Sequence, residues 1–389
     1  MVAARTNPQD LWAGPPGGRS DRWGVAMSPT VIRVREPREL LAYVPHRLGF
    51  TPTESLVAMS VRARPARLGV LVRADLAEIG EEAGKGDVAS VIAGHLVADG
   101  AARVFAVLYT AGDRSTARRG LCPAGRAIAR LRAALPASVE VEPWIVGPSG
   151  YAGLDCEDEG CCPAAGRSLE DLTSTQVSAQ MVLEGSVVAP SRDSLAVANR
   201  APAAARRAAA RGAAAERMRR PSGPGTADDP VSGEWNARGL ANWAELRRLA
   251  EAGADLVPSR LGRLVAALED VGLRDELILQ AARAAVPSVH SGAGFADLFG
   301  TGGPVPARGP LRPAETVLEA AIEHAPLDRG APALAVLAWL AWWVGDGARS
   351  RVLTEQCLGV DPDYRLAQLV SQLLDAGLPP SWAGDGRAA

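Results

Sequence analysis

The sequence predicts an α/β mixed-sheet N-terminal domain followed by an all-α C-terminal domain of helical hairpins. Three observations carry this expectation. Apolar runs of strand length alternate with helical patterns between residues 30 and 144. From Trp235 onward every apolar pattern has the helical period. The length of 389 residues exceeds what a single hydrophobic core usually organises. The expected divisions are an unstructured extension over 1–28, an α/β domain over 29–190, an Ala/Arg helix with a Pro/Gly linker over 191–232, and a helical domain over 233–389.

Residues 1–26 are rich in Gly, Pro and Arg and lack an apolar core of the kind a signal peptide needs. Met27 is therefore read as the true start or the first ordered region. Val31 and Val34 begin a short strand. Pro37 stands at a helix start, where its missing N–H is harmless, and Leu40, Leu41, Val44 and Leu48 give that helix one apolar face up to Gly49. The runs 55–61 and 68–72 are strand-like and joined by a few residues around Pro65. A connection that short implies an antiparallel hairpin. Residues 87–98 read as a helix, 103–109 as a strand, 114–135 as one helix ending before Pro136, and 139–146 as a further strand.

The hairpin has a geometric consequence. The start of its first strand must lie beside the end of its second, placing Thr53, Glu54 and Ser55 near Arg73 and Asp75. Helical crossovers then make the later strands parallel to the second hairpin strand, so their carboxyl ends open at the same edge. Ligands bind at such edges in open α/β sheets. Residues 110–115 and 147–151 should therefore meet there, and the segment 155–163 (DCEDEGCCP) follows directly.

Residues 200–220 are almost wholly Ala and Arg and read as a solvated helix, with a linker over 221–230. Helices are expected over 235–252, 258–269, 273–285, 313–324, 331–344, 348–359 and 364–375, interrupted by a Gly- and Pro-rich loop over 286–310 that should be mobile. The last helices resemble stacked hairpins such as tetratricopeptide units, without a clean internal repeat. Trp339, Trp342 and Trp343 share one helical face, which points to core packing.

Composition narrows the function classes. The formal charge of -2 provides no global field for nucleic acid or an anionic membrane. The apolar run 332–344 is too short to span a bilayer. Five cysteines without a secretory signal fit a reducing cytoplasm better than a disulfide framework. Lys85 is the one lysine among many arginines, a coding bias of a GC-rich genome.

Residues 41–52 (LAYVPHRLGFTP), Glu54-Ser55-Leu56-Val57 and Arg73-Ala74-Asp75-Leu76 resemble the opening of the actinobacterial domain of unknown function, family 4192. Cys161-Cys162-Pro163 with Gly166 resembles that family's second signature, and Arg274-Asp275 with residues 376–380 (AGLPP) fits its helical C-terminal part. The resemblance implies a cytoplasmic actinobacterial protein of unassigned function and transfers no catalytic residues.

Two candidate sites follow. Cys156, Cys161 and Cys162 gather three thiols in one loop, and zinc is the metal such ligands select. The spacing is C-x4-C-C, and adjacent cysteines are expected to point apart, so a full site would need Cys122, His46 or His95. A reactive thiol pair is disfavoured by the acidic neighbours, which raise thiol pKa. A structural loop with buried sulfurs is the remaining reading. At the sheet edge, Glu54, Asp75 and Asp113 could hold a divalent cation, Arg73 and Arg114 an anion, and Ser55 completes that ligand set. Ser115 and Thr116 at a helix start could add N–H groups for a phosphate. The competing reading is an Asp113 or Ser115 cap and an ordinary Arg73–Asp75 ion pair. Gly292-Ala293-Gly294 follows no strand and makes no nucleotide motif. The Ala/Arg helix lacks aromatic residues for base stacking, so nucleic acid is not expected. The function expected is a ligand- or partner-binding two-domain module, its helical domain open to a protein partner; the alternative is a metal-dependent enzyme at the loop edge.

Overall fold

The computed structural model describes residues 2–5, 31–34, 36–63, 66–80, 87–221, 230–286, 292, 294–300, 302–326 and 328–384. Two compact units divide the chain, Met1–Ser191 and Arg192–Ala389.

The first unit is built on a mixed sheet. Its strands are β1 (Val2–Arg5), β2 (Val31–Val34), β3 (Ser55–Ala63), β4 (Ala66–Asp75), β5 (Ala101–Tyr109), β6 (Glu140–Gly147) and β7 (Gly150–Gly153), in the spatial order β2-β1-β4-β3-β5-β6-β7. Of the expected extension over 1–28, only β1 falls among the described residues, and the Pro65 turn lies outside them. β3 and β4 form the expected antiparallel hairpin. β3 is also antiparallel to β5, and β5 is parallel to β6, so β4, β5 and β6 all run in one direction. β7, which returns along β6 through Trp144↔Gly153 and Gly147↔Gly150, has no counterpart in the sequence expectation. Its four residues include two glycines, too short a run to stand out from a loop.

Successive side chains of β3 alternate between the faces of the sheet. Leu56 and Ala58 join a core with α2 (Leu76–Gly80), α3 (Val88–Ala98) and α5 (Pro123–Ala134). Val57, Met59 and Phe105 are equally buried outside that cluster, so the opposite face is covered too. α1 (Pro37–Leu48) is started by Glu36, whose backbone N–H donates to the Glu39 carboxylate (3.4 Å), and is ended by Gly49 at φ 78. α1 meets α7 (Gln176–Leu183) through His46, whose Nδ1 and Nε2 lie 3.1 Å from the hydroxyls of Ser186 and Ser178. At the far end of the sheet, Asp99 accepts hydrogen bonds from Arg62 Nε (3.2 Å), Val70 N (3.1 Å) and Ser60. Burial pushes the Asp99 carboxyl up, but these donors outweigh it and hold it below the ordinary range.

The single helix expected over 114–135 is two: α4 (Arg114–Arg118) and α5. Gly120 turns the chain at φ 69, and Gly125 lies so close that an added Cβ would stand 2.3 Å from the Ala117 carbonyl oxygen. A left-handed residue and Pro123 together break the helical run.

The second unit is helical: α8 (Ala203–Arg219), α9 (Pro230–Glu251), α10 (Pro258–Ala267), α11 (Val271–Ala285), α12 (Phe295–Phe299), α13 (Arg312–His324), α14 (Ala331–Trp343), α15 (Gly347–Val360), α16 (Arg365–Asp375) and α17 (Ser381–Gly384). α6 (Glu170–Thr173) precedes α7 in the first unit. α14 is the centre, every residue but Trp342 being buried. α15 lies against α14, with Ser350 donating to the Ala338 carbonyl (2.8 Å) and Cys357 to the Ala331 carbonyl (3.2 Å). The loop expected over 286–310 contains α12, whose Leu298 is buried and whose Phe299 packs edge-on against Trp339 and Trp343 at 4.4 and 5.2 Å.

α8 is not the solvated helix its Ala/Arg content suggests. Ala209, Gly212, Ala213 and Glu216 are buried against α10, and Arg217 pairs with Glu269 (3.0 Å). A Cβ at Gly262 would stand 1.8 Å from the Ala209 carbonyl oxygen, and one at Gly212 2.1 Å from that of Ser259. The two helices meet backbone to backbone, with small residues forming the contact face. Gly262→Ala is therefore expected to destabilise the helical unit by about 2 kcal/mol through overpacking. A urea midpoint unchanged from the parent protein would contradict the α8–α10 contact.

Candidate metal centre at the carboxyl edge of the sheet

Strand direction brings the expected polar loops together. Ser55 at the start of β3 pairs with Asp75 at the end of β4 and with Tyr109 at the end of β5, and Tyr109 pairs with Val146 near the end of β6. The edge exists. Its charged side chains, however, already have local partners.

Glu54 has φ 40, the one positive value outside glycine among the described residues. Its carboxylate accepts from Thr110 Oγ1 (3.1 Å) and the Ala111 N–H (2.8 Å), while its carbonyl accepts from the Leu76 N–H (2.9 Å). Ser55 donates to the Thr53 carbonyl (2.6 Å) and accepts from Arg73 Nε and Nη2 at 3.0 and 2.8 Å. Arg73 pairs with Asp75 (3.3 Å) and lies over the Phe50 ring at 6.0 Å. Asp113 caps α4 by accepting from the Thr116 N–H (3.0 Å) and the Ser115 hydroxyl (2.5 Å), bonds that hold its carboxyl below the ordinary range. Glu54, Asp75 and Asp113 do not form a group of three ligand-bearing side chains among the described residues, and each carboxylate has its own local partner. Asp113's cap likewise takes the Thr116 N–H considered for a phosphate.

The sixth candidate, Arg114, acts on the cysteine loop. Its Nη1 donates to the Cys162 carbonyl (3.2 Å) and its Nη2 to that of Cys156. Arg167 Nε donates to the Cys161 carbonyl (2.5 Å). Two guanidinium groups therefore hold all three cysteine carbonyls, and that of Arg167 also interacts with the Cys161 and Cys162 thiols. Arg167 is itself fixed by a two-way backbone exchange with Tyr151 at 2.8 and 3.0 Å. Nothing in the sequence distinguished Arg167 from other surface arginines, because its partner is a backbone oxygen.

The loop closes on the Asp158 carbonyl, which accepts from the N–H groups of Cys161 (3.1 Å) and Cys162 (2.7 Å), while the Asp158 carboxylate accepts from the Gly160 N–H (2.8 Å). This turn corrects the expectation that Cys161 and Cys162 point apart. Their sulfurs are 3.9 Å from one another, and the sulfurs of Cys156, Cys161 and Cys162 all lie within 4.8 Å. Among the described residues this is the one gathering of three ligand-bearing side chains. Two sulfurs bound about 2.3 Å from a tetrahedral zinc lie about 3.8 Å apart, so the Cys161–Cys162 separation matches a coordination edge. Neither Cys122, which precedes α5, nor His46 or His95 belongs to the group.

Electrostatics act on two of the thiols in opposite directions. Cys162 is buried and its sulfur accepts the Gly153 N–H (3.3 Å). Burial pushes the Cys162 thiol up, whereas hydrogen bonding with the Asp158 backbone lowers that of Cys156. Of the acidic neighbours, Asp155 pairs with Arg132 and Glu157 with Arg118 (2.7 Å), whereas the charge of Asp158 acts on Cys156 and opposes its ionisation.

Replacing Arg114 by methionine removes two charge-assisted bonds, each worth about 1.5–3 kcal/mol. Labelling of Cys162 by a thiol reagent under native conditions should accelerate by about tenfold or more. An unchanged rate would show that the loop is held by other contacts.

No curated protein and no solved structure matches the chain. A family profile describing a domain of unknown function (DUF4192) matches residues 37–381, from the first residue of α1 to the first of α17, and on that coverage the chain belongs to this family.

Proposed function

We propose that the protein is a binding module whose N-terminal unit holds a thiophilic divalent cation of the zinc class on Cys156, Cys161 and Cys162. The observation that carries this reading is the gathering of the three sulfurs within 4.8 Å. Three protein ligands leave a fourth tetrahedral position for water or for an atom of an incoming ligand or partner. Five unbridged cysteines accord with a reducing compartment such as the cytoplasm.

An open fourth position is also what a catalytic zinc needs, which favours metal-dependent hydrolysis as a second reading. A general base must then stand beside that position. The carboxylates nearest in the chain belong to the cysteine loop itself, where Asp155 and Glu157 pair with arginines and Asp158 accepts the Gly160 N–H. Binding is the better-supported reading for that reason.

Protein purified without chelator should carry stoichiometric zinc by elemental analysis, and Cys161→Ser and Cys162→Ser should lose it while Cys122→Ser retains it. Cobalt substitution should give sulfur-to-metal charge-transfer absorption. Because each thiol must release its proton to bind, affinity should fall steeply as pH is lowered. A metal-free protein that also fails to take up zinc or cobalt on titration would sink the proposal.

A further inference from the structure

The helical unit contains a cleft of ≈ 580 Å³ between α9, α11 and the start of α13, whose wall includes Arg247, Glu251, Pro310, Arg312, Pro313 and Thr316. That volume falls in the range of about 300–1,000 Å³ typical of small-molecule sites. Its chemistry is set by Arg247. Other arginines of the helical unit are matched: Arg248 with Glu245 (2.9 Å), Arg274 with Asp275 (2.8 Å) and Arg349 with Glu315 (3.4 Å). Arg247 is not. Its Nε is buried without a hydrogen-bond partner, and no described side chain makes an ion pair with it.

The guanidinium instead lies over the Trp243 ring, 5.8 Å from its centroid. Stacking on an aromatic face orients the planar group but satisfies none of its N–H donors in the guanidinium plane. Burial disfavours its charged form, only partly offset by Glu251 one turn away. A half-buried cation with an orphaned donor is costly to hold. An oxyanion in the cleft would relieve that cost by accepting two parallel N–H bonds.

Two further features favour negative charge there. Arg312 adds a second cation to the wall. α13 spans thirteen residues and its first turn lines the wall through Pro313 and Thr316, so the positive end of its dipole lies there, with Glu315 of that turn paired to Arg349. The prolines supply apolar surface against which the body of a ligand can rest.

We propose that this cleft binds a small oxyanion, carboxylate or phosphate, with Arg247 as its principal cation. The site lies wholly within the helical unit and does not depend on the metal centre. Calorimetric titration of the full chain with inorganic phosphate and, separately, with benzoate, at ionic strength held constant with sodium chloride, tests it. Saturable binding of either anion is expected, the tighter one identifying the ligand class. Arg247→Met should weaken that binding by about tenfold or more, the loss of one charge-assisted pair. Arg248→Ala, on the exposed side of the same helix, should leave it unchanged. Glu251→Gln, which removes only negative charge from the wall, should tighten it by about threefold and keeps the test decisive should Arg247→Met fail to fold. No saturable binding of either anion, or binding indifferent to both Arg247→Met and Glu251→Gln, would overturn the proposal.

Discussion

The antiparallel placement of β3 between β4 and β5 is the constraint on which the first unit depends. β3 is hydrogen-bonded along both sides and buried on both faces from Ser55 to Val61, so its register cannot slip without moving its whole set of side chains to the wrong face. Because it runs against its neighbours, its first residues meet their last ones. Glu54 absorbs the consequence: the chain must turn sharply to enter β3 beside Thr110, and it does so at φ 40, held by bonds to Thr110, Ala111 and Leu76. Strain at a non-glycine residue persists only where the surroundings over-determine it. Here three bonds do so.

The topology was legible because it followed from few rules. A short connection forces a hairpin, and crossovers force parallel direction, so the shared edge of 53–55, 73–75, 110–115 and 147–151 could be inferred without a single side-chain contact. What the sequence did not reveal were the features decided by backbone proximity. Gly120 breaks the helix expected over 114–135 and Gly125 lets α4 fold onto α5, while small residues let α8 touch α10 where composition suggested solvent. In each case a glycine acts by what it permits a neighbour to do, and that neighbour is distant in sequence or hidden in a helical pattern.

The charges at the edge teach a related lesson. Carboxylates and arginines at strand ends look like a ligand site when only their positions are known. Once placed, Arg73 answers Asp75 and Ser55, Asp113 answers the first turn of α4, and Glu54 answers the β5 loop. These pairings stabilise the loops locally, as caps and half-exposed ion pairs do. Arg114 and Arg167 differ in kind, since they donate to neutral carbonyls and their positive charge is left uncancelled beside the sulfurs.

That surplus bears on whether the thiols are ligands or merely packed sulfur. A structural role is served well enough by neutral thiols, which pack as small hydrophobes and need no donors aimed at them. The loop instead directs the Gly153 N–H at the Cys162 sulfur and surrounds the cysteine backbone with two guanidinium groups. The Gly153 N–H favours negative charge on the Cys162 sulfur, as the outer shell of a metal site does for its ligands. Burial at Cys162 opposes ionisation in the absence of a cation. A divalent ion held by the three sulfurs would reverse that balance by stabilising the thiolate, the proton being released to solvent. The Asp158 turn is what makes the arrangement possible, bringing adjacent cysteines to a 3.9 Å edge that their sequence spacing alone argued against.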